Sequence, residues 1–178
     1  MNKTVTIFGS SRPDPDHEEY LHAMSLGRAL AESGFVVCNG GYGGIMEASA
    51  RGAREAGGHT VGVTISSFGG RSPNPWIAEV DERPSLIERM MRLIEKGDAY
   101  IVLKGGTGTL LELAAVWELM NKAQMKVKPI IVLGSFWNGV VDTLKDELST
   151  EGLEWCTKYV SPAGTITECL QLLQSYWR

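Results

Sequence analysis

Histidine and cysteine are both scarce in this chain, three of each in 178 residues, and neither type clusters. His17, His22 and His59 show no ligand spacing and have no Cys or carboxylate cluster around them, which argues against a metal site. Cys38, Cys156 and Cys169 are odd in number and far apart, so no disulfide framework is expected and a reducing cytoplasm is the natural setting. An excess of positive charge is also missing. Lys and Arg number 17 against 21 Asp and Glu, a net charge of −4, unlike a protein that grips the nucleic-acid backbone with a basic face. A local basic pocket for one small anion remains compatible with that balance. Long apolar runs are absent too. Val5 to Phe8 is far shorter than the apolar core of a signal peptide and no other stretch would span a bilayer, so a soluble, cytoplasmic protein with no membrane partner is expected.

Glycine, by contrast, is plentiful at 21 residues, and much of it follows short apolar runs. Lys3 to Gly9 reads as a buried strand ending in Ser10-Ser11; a helix then begins at Asp14 to Asp16 and continues to Glu32, with Leu21, Met24, Leu26 and Leu30 at helical spacing. Phe35 to Cys38 is a second strand, and the turn Asn39-Gly40-Gly41-Tyr42-Gly43-Gly44 opens a helix from Ile45 to Ala56. Thr60 to Ile65 forms a third strand. Ser66 to Pro84, which holds Phe68-Gly69-Gly70 and Pro73-Asn74-Pro75, reads as a polar connection of the length usually kept for function. A helix over Ser85 to Lys96, a strand over Ala99 to Leu103, a helix from Thr109 to Lys122 and a strand over Pro129 to Leu133 follow. Helices over Phe136 to Ser149 and Ile166 to Tyr176, with a short sixth strand near Lys158 to Val160, complete the pattern. Continuous apolar strands separated by helices indicate a parallel sheet covered on both faces. The expectation is one α/β domain, a Rossmann-like doubly wound sheet in three α/β/α layers, for which 178 residues supply an adequate core. Such sheets bind ligands beyond the carboxyl ends of their strands, where the Ser10, Gly40 and Gly105 turns would gather.

The stretch Lys104-Gly105-Gly106-Thr107-Gly108-Thr109-Leu110-Leu111-Glu112 carries the most chemistry. A glycine turn between a strand and a helix offers unpaired N–H groups to an anion, and the helix dipole favours negative charge there. Thr107 and Thr109 add hydroxyl donors. A structural reading competes for the same letters: Thr109 as N-cap with Glu112 reaching back in a capping box. Neither glycine turn is a dinucleotide fingerprint, because Gly9-Ser10-Ser11-Arg12-Pro13 lacks the glycines and Met46 occupies the third glycine position of the second turn. Neither has the Gly-Lys-Ser/Thr of a P-loop. Glu47 reads first as an acid at a helix start and only second as a site carboxylate, and Trp76 equally as a base-stacking group or as an anchor for its loop. Leu113, Val116 and Trp117 share one apolar face, the pattern of core or interface rather than of a ligand contact.

Those residues resemble the lonely-guy (LOG) family of nucleoside 5′-monophosphate phosphoribohydrolases, formerly mislabelled lysine decarboxylases. Gly105 to Glu112 matches the P-G-G-x-G-T-x-x-E signature, Glu88-Arg89 stands where the family carries its catalytic arginine, and Phe8 to Ser11 and Gly40 to Met46 are similar to its other two turns. The resemblance implies hydrolysis of the N-glycosidic bond of a nucleotide such as AMP or a cytokinin monophosphate, without a cofactor, by a homodimer. It further implies that Gly105, Gly106, Thr107, Gly108 and Thr109 hold the 5′-phosphate, helped by Ser10, Gly41, Gly43 and Gly44, and that Arg89 and Glu112 are catalytic. On physical grounds Arg89 is expected to fork onto phosphate or ribose oxygens and to hold Glu112 ionised. Lys104, Met90 and Leu111 depart from the pattern, which points to a divergent branch. Lys104 either adds charge beside the phosphate or is simply solvated. A non-catalytic nucleotide-binding or sensing module would show the same cradle, though a carboxylate beside the anion would weaken it. Pyridoxal-phosphate chemistry, which the old label suggests, finds no signal at Lys96 or Lys104.

Overall fold

Among the described residues, six stretches rich in β-branched and other apolar residues and one charged stretch pair into one sheet. The computed structural model describes residues 2–66, 70 and 72–177. The strands are β1 (Thr4–Phe8), β2 (Val36–Asn39), β3 (Thr60–Ile65), β4 (Glu79–Arg83), β5 (Ala99–Val102), β6 (Ile130–Leu133) and β7 (Val160–Ala163). All are parallel, in the order β4-β3-β2-β1-β5-β6-β7. Helices α1 (Glu18–Glu32), α2 (Ile45–Glu55), α3 (Leu86–Lys96), α4 (Thr107–Asn121), α5 (Asn138–Thr150), α6 (Glu154–Thr157) and α7 (Ile166–Tyr176) connect and follow them.

Alternation along each strand divides the core between the two faces. Val5, Ile7, Ala99, Ile101 and Ile131 meet Leu26, Leu30, Ile45 and Leu173 from α1, α2 and α7. Phe8, Tyr100, Val102, Ile130 and Val132 meet Leu93, Leu113, Val116 and Val141 from α3, α4 and α5. Trp117 sits in this second layer, its Nε1–H donating to the Cys156 carbonyl at 3.1 Å, and belongs to the core. The three-layer doubly wound expectation therefore holds. The chain leaves β1 in one direction as far as β4 and returns to β5 on the other side, so the carboxyl ends of β1 and β5 are neighbours at the switch point, with Ile7 opposite Ile101 and Phe8 opposite Val102.

Two elements differ from the sequence reading. The segment after β3 was expected to be loop throughout, yet Glu79–Arg83 adds an edge strand to β3, with Val61 opposite Glu79 and Ile65 opposite Arg83. Its letters contain no apolar run. Ion pairs hold it instead: Asp81 with Arg92 at 2.8 Å, Glu79 with Lys96 at 3.2 Å, and Asp81 with Arg83. Charge along an edge also blocks pairing with a foreign strand. The last strand begins at Val160, where the expected one ended, because the short α6 occupies the residues before it. Phe68-Gly69 of the polar connection lies outside the described residues. Among those described, no helix is long and apolar enough to cross a membrane.

Candidate functional site

Helix α4 begins two residues earlier than its threonines suggest. Gly106 is its N-cap, no side chain caps it, and the Leu110 N–H already bonds the Gly106 carbonyl at 3.0 Å. The N–H groups of Thr107, Gly108 and Thr109 are left without an intrahelical acceptor. Three of the other helices are capped by side chains: His17 accepts from Glu19 N–H at α1, Ser85 from Glu88 N–H at α3, and Thr165 from Glu168 N–H at α7. The capping-box reading of Thr109 and Glu112 is thereby corrected. Thr109 is buried inside the first turn and Glu112 lies in the second, where its carboxylate faces a cavity.

That cavity, about 330 Å³ in volume, lies at the switch point. It brings together Ser10, Arg89, Gly106, Thr107, Gly108, Thr109 and Glu112. Arg89 projects from α3 and is 8% exposed. Its Nε donates to the Val63 carbonyl at 2.7 Å and its Nη2 to the Gly40 carbonyl at 2.9 Å, while the Tyr42 ring lies 5.6 Å from the guanidinium carbon. Among the described residues Nη1 makes no hydrogen bond to protein, and Arg89 makes no direct ion pair with Glu112. Burial lowers the Arg89 pKa, opposed by the negative charge of Glu112. Burial likewise pushes the Glu112 carboxyl up to about 7, outweighing the pull of Arg89. The expectation that Arg89 holds Glu112 ionised is therefore corrected: the carboxyl is poised near neutrality, a position suited to accepting a proton. A reaction in which this carboxyl accepts the proton would speed up from acid pH and level above about pH 7, which a pH profile of initial rates checks.

Ser10 ties the three turns together. Its N–H donates to the Lys104 carbonyl at 3.1 Å, its carbonyl accepts from Ile45 N–H at 2.9 Å, and its Oγ accepts from Arg12 N–H at 3.1 Å. Gly43 lines a second cavity of about 540 Å³. Gly41, Gly44 and Gly105 line neither cavity. Gly41 and Gly44 have φ of 78° and 66° and back onto Gly62 and onto Ser10, and Gly105 packs against Thr109; they build the turns rather than face a ligand.

Lys104 turns away from the cavity to pair with Glu19, its ammonium 5.7 Å from the centre of the Phe136 ring, so it neither lines the cavity nor is simply solvated. Trp76 also lines neither cavity. Its carbonyl accepts from Thr60 Oγ at 2.7 Å and Arg51 lies over its ring at 5.5 Å, which makes it an anchor. His17 caps α1 and His59 lies 3.5 Å from Glu79. Glu47 does face the second cavity.

Three further residues emerge only from the fold. Arg12 lines both cavities. Tyr42 also lines both, its hydroxyl fixed by the Ile65 N–H at 2.9 Å. Asn74 clamps the Pro73-Asn74-Pro75 segment to the second glycine turn, its Nδ2 donating to the carbonyls of Gly41 at 3.1 Å and Tyr42 at 2.9 Å. Its place between two prolines was the one signal available.

Residues 2–155 match the model of the SLOG cluster4 family. A cytokinin riboside 5′-monophosphate phosphoribohydrolase from Mycobacterium tuberculosis is 34% identical over 152 residues, 79% of this chain and 80% of that protein. A probable enzyme of the same name from rice, LOGL5, is 32% identical over 146 residues, 80% of this chain; the match spans only 57% of the rice protein. The molybdenum cofactor binding protein from Rippkaea orientalis, 24% identical, superposes with a TM-score of 0.76 over 100% of this chain and 99% of that one, a likeness of fold alone. With its family model, its relatives and the Gly105–Glu112 signature in agreement, the chain belongs to the LOG family, within the SLOG cluster4 group.

Proposed function

We propose that the protein hydrolyses the N-glycosidic bond of a nucleoside 5′-monophosphate, releasing the free base and ribose 5-phosphate. One observation carries the reading: a carboxylate, Glu112, faces the same cavity as the uncapped start of α4 and the buried Arg89. A site that only held phosphate would be weakened by that negative charge. A site that cleaves a ribosyl C–N bond needs it, because positive charge builds on the sugar as the base departs. The names of the relatives support the same class of reaction.

The N–H groups of Thr107, Gly108 and Thr109 and the Thr107 hydroxyl take the phosphate, and Arg89 Nη1 forks onto a phosphate or ribose oxygen. Water adds to C1′ as the C1′–N bond breaks; the bonding electron pair leaves with the base, Glu112 takes the proton the water releases, and the departing base takes up a proton from solvent, which in net terms resets Glu112 and completes the hydrolysis. General-base action supplies about 10²- to 10⁴-fold, so phosphate-anchored positioning supplies much of the rest and a plain nucleoside is a poor substrate. Chromatography of free base and ribose 5-phosphate after incubation with a panel of nucleoside monophosphates tests the reading, and no release from any of them overturns it.

The reading extends to a homodimer. Leu86 and Ile87 on α3, and Leu110 and Leu111 on α4, are exposed on the two helices that carry Arg89 and Glu112. Light scattering is expected to give twice the mass of the 19.4 kDa chain, and Ile87→Glu to shift it toward monomer.

A further inference from the structure

Beyond the reaction lies the question of which base the site accepts. Resting on the nucleotide reading above, we infer that the second cavity is the base pocket and that it selects guanine, with Glu47 and Arg12 reading the two edges of the ring.

The two cavities share Ser11, Arg12 and Tyr42 as walls and are therefore neighbours. With phosphate at the start of α4 and ribose between Arg89 and Glu112, the base extends past Tyr42 into the larger space, about 540 Å³. Helix α2 starts there at Gly44 without a side-chain cap, which by itself would welcome an anion. Glu47 reverses that preference. Its carboxylate is in the first turn, lines the cavity and has no ion-pair partner among the described residues, though it interacts with the Tyr20 hydroxyl behind it. The pocket is thus unsuited to a second phosphate and suited to a neutral group rich in N–H donors.

The remaining polar groups narrow the choice. Asn74 is spent on architecture, its Nδ2 donating to two carbonyls and its Oδ1 accepting from Trp76 N–H at 3.0 Å. Arg12 is exposed at the rim of both cavities and makes no ion pair among the described residues. Besides the hydroxyls of Ser11 and Ser72, one carboxylate and one guanidinium are left to read the base, and they are the two charged groups on the cavity wall. Guanine presents N1–H and N2–H side by side to a carboxylate and O6 with N7 to an arginine. Adenine and cytosine each place a ring-nitrogen lone pair beside the amine, which repels a carboxylate, and uracil offers a single N–H.

The test uses the full chain. GMP, IMP, AMP, CMP and UMP are titrated into Glu112→Gln by calorimetry, and base release from each is measured with the unmodified protein. GMP is expected to bind on the order of 10- to 100-fold more tightly than AMP, with IMP, which lacks the 2-amino group, weaker than GMP. Glu47→Gln should collapse the GMP to AMP ratio by a similar factor. Arg12→Met, on an exposed turn, should lower it independently of any folding defect at α2. Binding of AMP or CMP equal to that of GMP, or an unchanged ratio in both variants, overturns the guanine pocket while leaving hydrolysis intact. A preserved GMP preference with no base released would instead sink the hydrolase and keep the pocket. Absence of all nucleotide binding overturns both.

Discussion

Glu112→Gln is expected to lower kcat for base release by about 10²- to 10⁴-fold while nucleotide binding stays equal or tightens. The amide keeps the size and shape of the carboxyl but cannot take a proton, and it removes the negative charge nearest the bound phosphate. Stability should move the other way. In the folded protein burial lifts this carboxyl from its ordinary value of 4.5 to about 7, so the native state holds more protons than the unfolded chain between those limits. Stability contributed by the protonated form is fully present below pH 4.5 and is lost as pH rises through 7. Glutamine stays neutral throughout. The variant should therefore match the parent at pH 4.5 and exceed it at pH 8, by on the order of 1–3 kcal/mol. Thermal melts at the two pH values, with rates at pH 8, check both halves. Turnover within tenfold of the parent would remove Glu112 from the mechanism. A parent that turns nothing over, with tighter binding in the variant, would identify a nucleotide-binding module.

Much of this could be read from the letters because its physics is local. Apolar strands buried on both faces announce a parallel sheet, and Gly105 to Glu112 announces a helix start built for an anion. What escaped depends on distant partners. Glu79–Arg83 is a strand because β3 offers it an edge and α3 offers it Arg92 and Lys96, neither visible in a run of five mostly charged residues. Thr109 has the chemistry of an N-cap, but Gly106 takes that position and releases Glu112 from capping. The direction of Lys104 toward Glu19, and the convergence of Arg12 with Glu47 on one cavity, follow from the packing of separate turns. Periodicity carries no trace of either.

Gly40 joins the fold to the chemistry, and Gly40→Ala should be among the most damaging single changes in the chain. A Cβ at this position would overlap Arg89 Nη2 and lie 2.8 Å from the guanidinium carbon and 2.6 Å from Met46 Sδ. The same residue's carbonyl is the acceptor for that Nη2. One methyl group therefore fills the seat of a buried cation and disturbs the bond that holds it there. Dislodging a buried, hydrogen-bonded charge costs about 3–5 kcal/mol, which for a chain of this length lowers Tm by on the order of 10 °C. Turnover should fall at least as far as in Arg89→Met, since the guanidinium is displaced from the ribose and phosphate it would steady. The double variant distinguishes this account from simple loss of packing. If both changes act through the same seat, Gly40→Ala combined with Arg89→Met loses little more activity than Arg89→Met alone, and part of the stability loss is relieved because no charge is left to displace. Additive losses in the double variant would mean that Gly40 serves only the glycine turn and that Arg89 finds its place without it.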